Sequence, residues 1–140
     1  LELYQHQPQP LGEADTRYER AGILLIHGKL DQALADLDQA VILVERVMKT
    51  LASPAQWQHF LRQYTELYAQ KAITLARLER EGEGQTCLKG FVQIAGIDEI
   101  KAYLQTFEAS IPVQSEELNE VQIAENQALL KRLKQIRKGW

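Results

Sequence analysis

An all-α fold of about six helices, arranged as antiparallel pairs, is what this sequence predicts. Three observations carry that prediction. Apolar residues recur at intervals near three and four along most of the chain, from Tyr18 to Ile136. The main interruptions coincide with helix stops and starts, at Gly28, Ser53-Pro54, Gly82, Gly96 and Ser110-Ile111-Pro112. No stretch shows the sustained apolar and polar alternation of a strand. At 140 residues, with 45% hydrophobic and 25% charged side chains and only eight glycines and four prolines, the chain suits one globular domain.

The elements follow in order. Pro8 and Pro10 predict an extended leader over residues 1–12, because neither can continue a helix, and regular structure is expected from Glu13. Tyr18, Ala21, Leu24, Leu25 and Ile26 then form the stripe of a first helix, which Gly28 ends. A second helix starts near Leu30 with Asp31 in its first turn and runs to about Thr50 through Ala33, Leu34, Leu37, Ala40, Val41, Val44, Val47 and Met48. Ser53-Pro54-Ala55-Gln56 combines a capping serine, a proline at the first helical position and a glutamine three residues after the serine. Beyond it Trp57, Phe60, Leu61, Tyr64, Leu67, Tyr68, Ala72, Leu75 and Leu78 predict one helix about 40 Å long, at roughly 1.5 Å per residue. EGEG at 81–84 is expected to be a loop. A shorter helix opens near Gln85 or Thr86, and Gly96 closes it; Asp98 caps the next, which carries Ile100, Tyr103, Leu104 and Phe107. Ser115-Glu116-Glu117 is expected to open the last helix, with Leu118, Val121, Ala128, Leu129, Leu133 and Ile136 as its apolar set. The body at 13–140 therefore divides into a helix pair at 13–50, a second and degenerate pair at 54–95, and C-terminal helices at 98–138.

Residues 14–41 resemble a tetratricopeptide repeat, the helix-turn-helix unit of about 34 residues that stacks into solenoids. Ala21 stands at the small position of the first helix, Leu24 at the large position one turn later, and Gly28 and Leu30 in the turn. Ala33, Leu37 and Ala40 repeat the small, large, small pattern in the second helix. Small side chains at such a crossing let helix backbones approach, and large ones fill the space beside them. A weaker copy runs through Ala72, Leu75, Gly82, Cys87, Phe91 and Ile94, with about three extra residues in its turn. The proline that closes the family's repeat is missing after Ala40, and Ala21 and Ala72 lie 51 residues apart. The resemblance implies a right-handed superhelical bundle with extended helices. It also implies protein recognition along the face made by the first helices, here Asp15, Tyr18, Gly22, Leu25 and Ile26, with Tyr64, Tyr68 and Lys71 from the long helix. For Leu25, Ile26, Tyr64 and Tyr68 the favoured reading is packing on a neighbouring helix of this chain, ahead of a role in the groove. The basic and asparagine side chains with which some family members clamp a C-terminal carboxylate are not at these positions.

Chemistry is sparse by comparison. His6, His27 and His59 are far apart and lack partners at ligand spacing, so neither a metal nor a cofactor is expected. Cys87 has no second cysteine and no evident activating base, and it reads as a packing residue. Asp36 with Asp38, and Glu116 with Glu117, are too close in sequence to share a helix face and read as solvated surface. EGEG opposes phosphate binding. In the helix-turn-helix-like stretch at 91–104, Asp98 and Glu99 would meet DNA first and repel its phosphates, which argues against direct reading of nucleic acid. The formal charge is −3, with five positive charges on the last ten residues, Lys131, Arg132, Lys134, Arg137 and Lys138. Cations in a last helical turn suit the macrodipole, and the same residues form a candidate basic tail.

The sequence thus leads to an expected function: a non-catalytic scaffold or adaptor that binds a protein or peptide segment or self-associates as a homo-oligomer. The alternative is a regulatory module that contacts nucleic acid or another anionic partner through its basic last helix. No transmembrane segment and no signal peptide is read, and a cytoplasmic setting is the default.

Overall fold

The computed structural model describes residues 9–138 of the chain. They form seven helices: α1 (Pro10–Ile26), α2 (Leu30–Met48), α3 (Pro54–Arg62), α4 (Thr65–Arg77), α5 (Glu81–Ala95), α6 (Asp98–Ser110) and α7 (Glu120–Arg137). No strand occurs among the described residues, and no helix there is long and apolar enough to cross a membrane. His6 and Trp140, with most of the expected leader, lie outside the described residues.

Helix α1 begins at Pro10, ahead of Glu13. Proline suits the first helical position because its missing N–H has no intrahelical partner there, and the Glu13 amide already bonds the Gln9 carbonyl at 2.9 Å. At the other end, Gly28 adopts φ 72°, the Lys29 amide reaches back to the Leu24 carbonyl at 2.9 Å, and the Gly28 amide bonds Leu25 at 3.1 Å. These paired bonds and the left-handed residue define a Schellman turn, which reverses the chain into α2.

The α4–α5 turn has the same construction. Glu79 takes φ 60°, the Arg80 amide bonds the Leu75 carbonyl at 2.8 Å, and the Glu79 amide bonds Ala76 at 3.1 Å. Each atom in this turn has its counterpart 51 residues earlier, so the two pairs share one register with no extra residues. Gly82 is therefore not the turn glycine. EGEG is not a loop but the first turn of α5, where Glu81 and Glu83 face the positive end of the helix dipole.

Gly84 then falls where α2 has Ala33. A Cβ at Gly84 would stand 2.8 Å from Ile136 Cδ1 and 3.4 Å from the Ala72 carbonyl oxygen. The glycine lets α5 lie close to both α4 and α7, a use of its small volume rather than of its flexibility.

The expected 40 Å helix is two helices, which makes seven rather than six. The Gln63 and Tyr64 amides bond three residues back, to Phe60 and Leu61, and Tyr64 turns to φ −110°, ψ 21°. The Thr65 hydroxyl donates to the Arg62 carbonyl at 2.7 Å, satisfying an acceptor at the break. Arg62 Nε in turn donates to the Ala95 carbonyl at 2.8 Å and anchors the end of α3 to that of α5. Ser53 does cap α3, accepting from the Gln56 amide at 3.3 Å, while Gln56 Oε1 accepts from the Ala52 amide at 2.8 Å.

Two later boundaries also move. Asp98 is the first residue of α6, after Ile97, and its side chain makes no cap bond. The last helix opens at Glu120 rather than near Ser115. Asn119 Oδ1 accepts from the Gln122 amide at 2.8 Å and Gln122 Oε1 accepts from the Asn119 amide at 3.0 Å, a reciprocal capping box. Ser115 instead closes a local turn by accepting from the Glu117 amide at 3.2 Å.

Helix α4 is the centre of the packing, in contact with α2, α5, α6 and α7. Ala21, Ala33, Leu37 and Ala40 are fully buried at the first pair, and Ala72, Leu88 and Phe91 at or near the second. Side chains the size of Leu37, Leu88 or Phe91 each stabilise the fold by roughly 1.5–3 kcal/mol through burial. Tyr68 and Phe91 stack in a tilted pair with centroids 5.0 Å apart.

Candidate functional site

The structure separates the candidate partner-binding residues into two regions and a core residue. Asp15 and Tyr18 from α1 meet Tyr64 at the α3–α4 junction, around a hollow of about 200 Å³ that Gln63, Glu66, Ala14 and Leu67 complete. Helical spacing places Gly22 and Ile26 on the same side of α1 as Asp15 and Tyr18. Both are exposed, Ile26 at 84%. Leu25 is half-buried and packs on the core.

Tyr68 does not belong to this face. Its side chain is 3% exposed and its hydroxyl donates to Glu45 at 3.1 Å, across to α2. Burial, reinforced by the Glu45 carboxylate, holds its phenol far above the ordinary range. One helical turn separates it from Tyr64, but α2 and α5 cover this side of α4.

Lys71 also leaves the set, lying 3.1 Å from Asp38 on the α2 side. It lines a groove between α2 and α5 that the sequence reading did not single out. Two adjoining hollows of about 360 and 710 Å³ make up that groove and share Val41, Glu45, Lys71, Thr86 and Cys87. Ile42 stands on its rim, 47% exposed. The channel runs between α2 and α5, the second helices of two pairs that share one turn geometry. Cys87 is part of its lining. Burial pushes its thiol up to about 11, Lys71 opposes the shift, and Asp38 and Glu45 add to it. A thiol with its pKa so raised stays protonated at neutral pH, which suits a packing role.

Polar contacts define the α1–α4 hollow. The Tyr18 hydroxyl donates to Glu66 at 3.4 Å, and farther along the same side Gln70 Nε2 donates to Tyr103 Oη of α6 at 2.8 Å. Burial chiefly, with Tyr103 and Glu66 adding to it, raises the Tyr18 phenol to about 12. Tyr64 is raised by burial and by Asp15, and its ring lies against Phe60 with centroids 5.3 Å apart. Both tyrosines therefore stay neutral.

Asp36 is buried, at 3% exposure, and not solvated surface. Arg20 Nε donates to Asp36 Oδ2 at 2.7 Å, a second Arg20 nitrogen bonds Oδ1, and Arg17 Nη1 reaches Oδ1 at 3.3 Å. Arg20 chiefly lowers the carboxyl pKa, against the opposing effect of burial, with a smaller contribution from Arg17. The cluster staples α1 to α2. A carboxylate three residues from Ala33 gives no local sign of burial, because its partners lie on the preceding helix.

The basic tail divides in the same manner. Arg132 Nη2 donates to Glu79 Oε1 at 2.7 Å, with Nε 3.4 Å from Glu81, and Arg137 Nη2 donates to Glu108 at 2.9 Å. These two arginines hold α7 against the α4–α5 turn and against α6. Lys131, Lys134 and Lys138 are the exposed cations of the set.

His27 is the C-cap of α1 and His59 lies on α3. Among the described residues no three His, Cys, Asp or Glu side chains converge as a metal site would require. Family models, curated proteins and solved structures yielded no match to this chain.

Proposed function

We propose that this chain is a non-catalytic scaffold of tetratricopeptide-like helix pairs that docks a segment of another protein on the side formed by α1 and α4. The observation that supports this most is the shared register of the two pairs. Matching Schellman turns at Gly28 and Glu79 give the two pairs the same construction, and Tyr18 of the first helix bridges to Glu66 of α4, which supports reading the first helices as a row. A row of first helices with a hollow between them is the kind of surface on which an extended segment finds side-chain pockets. Exposed Ile23 and Ile26, at 58% and 84%, extend the apolar area toward the end of α1. The alternative contact through the last helix has less to draw on, because Arg132 and Arg137 already serve intramolecular ion pairs.

The test is selection of binders from a displayed random peptide library with the full chain, followed by affinity measurement on variants. Tyr64→Ala and Ile26→Ser weaken the selected peptide about tenfold or more, in the range of an interface anchor. Reversing Lys131, Lys134 and Lys138 together leaves it within about twofold. If the charge reversal abolishes binding and the α1–α4 variants do not, the basic helix is the contact and this reading is wrong; failure to select any peptide also defeats it.

A further inference from the structure

We infer that the hollow between α1 and α4 takes the cationic side chain, arginine or lysine, of the docked segment. The inference rests on the proposed docking function and names the chemistry of its partner. The floor of the hollow is apolar, with Ala14 at 1% and Leu67 at 4% exposure, and the Tyr18 and Tyr64 rings line it. Asp15 and Glu66 supply carboxylates, and no lysine or arginine contributes to the lining.

An apolar floor with aromatic walls and carboxylates suits a side chain with an alkyl stem and a charged head. Its volume of about 200 Å³ falls below the several hundred Å³ usual for cofactor or drug-sized ligands, and is of the size of one side chain.

Charge balance points the same way. The cations nearest in sequence on α1 and α4 are committed elsewhere: Arg17 to Glu13 and Asp36, Arg20 to Asp36, and Lys71 to Asp38. Among the described residues, Asp15 has no ion-pair partner, and Glu66 accepts only the long 3.4 Å bond from Tyr18. An incoming guanidinium or ammonium therefore displaces no internal ion pair. Two like-charged groups beside a low-dielectric surface attract it more than either would alone.

The experiment follows backbone amides of the intact chain by NMR during titration with acetyl-Gly-Arg-Gly-amide, and with the isosteric neutral peptide that carries citrulline instead. The arginine peptide is expected to shift amides around Asp15, Tyr18, Tyr64 and Glu66 saturably, with a midpoint at least fivefold below that of the citrulline peptide. The Asp15→Asn, Glu66→Gln double variant, whose substitutions lie at exposed positions, should remove that preference while its thermal unfolding stays unchanged. Equal midpoints for the two peptides, or arginine-dependent shifts that survive the double variant, would overturn the inference. Docking itself is judged separately: a library-selected peptide that loses affinity with Tyr64→Ala but not with the double variant upholds the docking reading and defeats this one.

Discussion

Position 79 offers a test of the repeated register in which the usual rank of alanine and glycine reverses. Inside a helix, alanine is more favourable than glycine by about 1 kcal/mol. Glu79 sits at φ 60°, in the left-handed region, where a Cβ meets the backbone and glycine does not. Both Glu79→Gly and Glu79→Ala lose the 2.7 Å contact with Arg132, so the difference between the two variants isolates the backbone. Glycine should exceed alanine by about 1 kcal/mol, which is roughly 3–4 °C in Tm for a domain of this size. The same size of effect, with opposite direction of substitution, is expected at Gly28→Ala. There φ is 72° and no atom lies within 4 Å of the added Cβ, so the backbone alone decides. Urea titration followed by circular dichroism measures all three variants. If Glu79→Ala equals or exceeds Glu79→Gly in stability, residue 79 is not the left-handed counterpart of Gly28, and the 51-residue register falls with it.

Two further outcomes concern Asp36 and Cys87. Asp36→Asn should lower the urea midpoint at pH 7, and the difference from the parent should narrow with acid. The folded carboxyl is held below its unfolded value of about 3.9, so its contribution is complete above that pH and vanishes as pH falls through the folded pKa. A difference that stays constant from pH 7 to below about 3 contradicts the ion-pair role. Cys87, with its thiol pushed up to about 11, should react with a disulfide reagent at pH 7.5 far more slowly in the folded chain than in urea; equal rates would show that the fold does not suppress the thiolate.

Much of the helical plan was legible because helices are signalled locally. The Gly28 stop, the Ser53-Pro54 start and the Ala33, Leu37, Ala40 stripe each depend on residues within a turn or two, and all three stand as read. Asp15, Tyr18 and Tyr64, which the resemblance groups as candidates, line one hollow. The misread boundaries share a cause. Asn119 with Gln122 made a better cap than Ser115, and Thr65 with Arg62 closed a break that unbroken periodicity conceals.

What the sequence by itself determined is the helical class and the first pair with its turn. Tertiary structure alone decided which faces are covered. Ile136 requires Gly84 to be a packing glycine, Arg20 buries Asp36, and Glu45 draws Tyr68 into the core while Tyr64, one turn earlier, stays at the edge. Periodicity records that a helix has an apolar side, a property of a few consecutive residues. Whether a given side chain on that side meets another helix or solvent depends on residues far along the chain, and only packing brings those together.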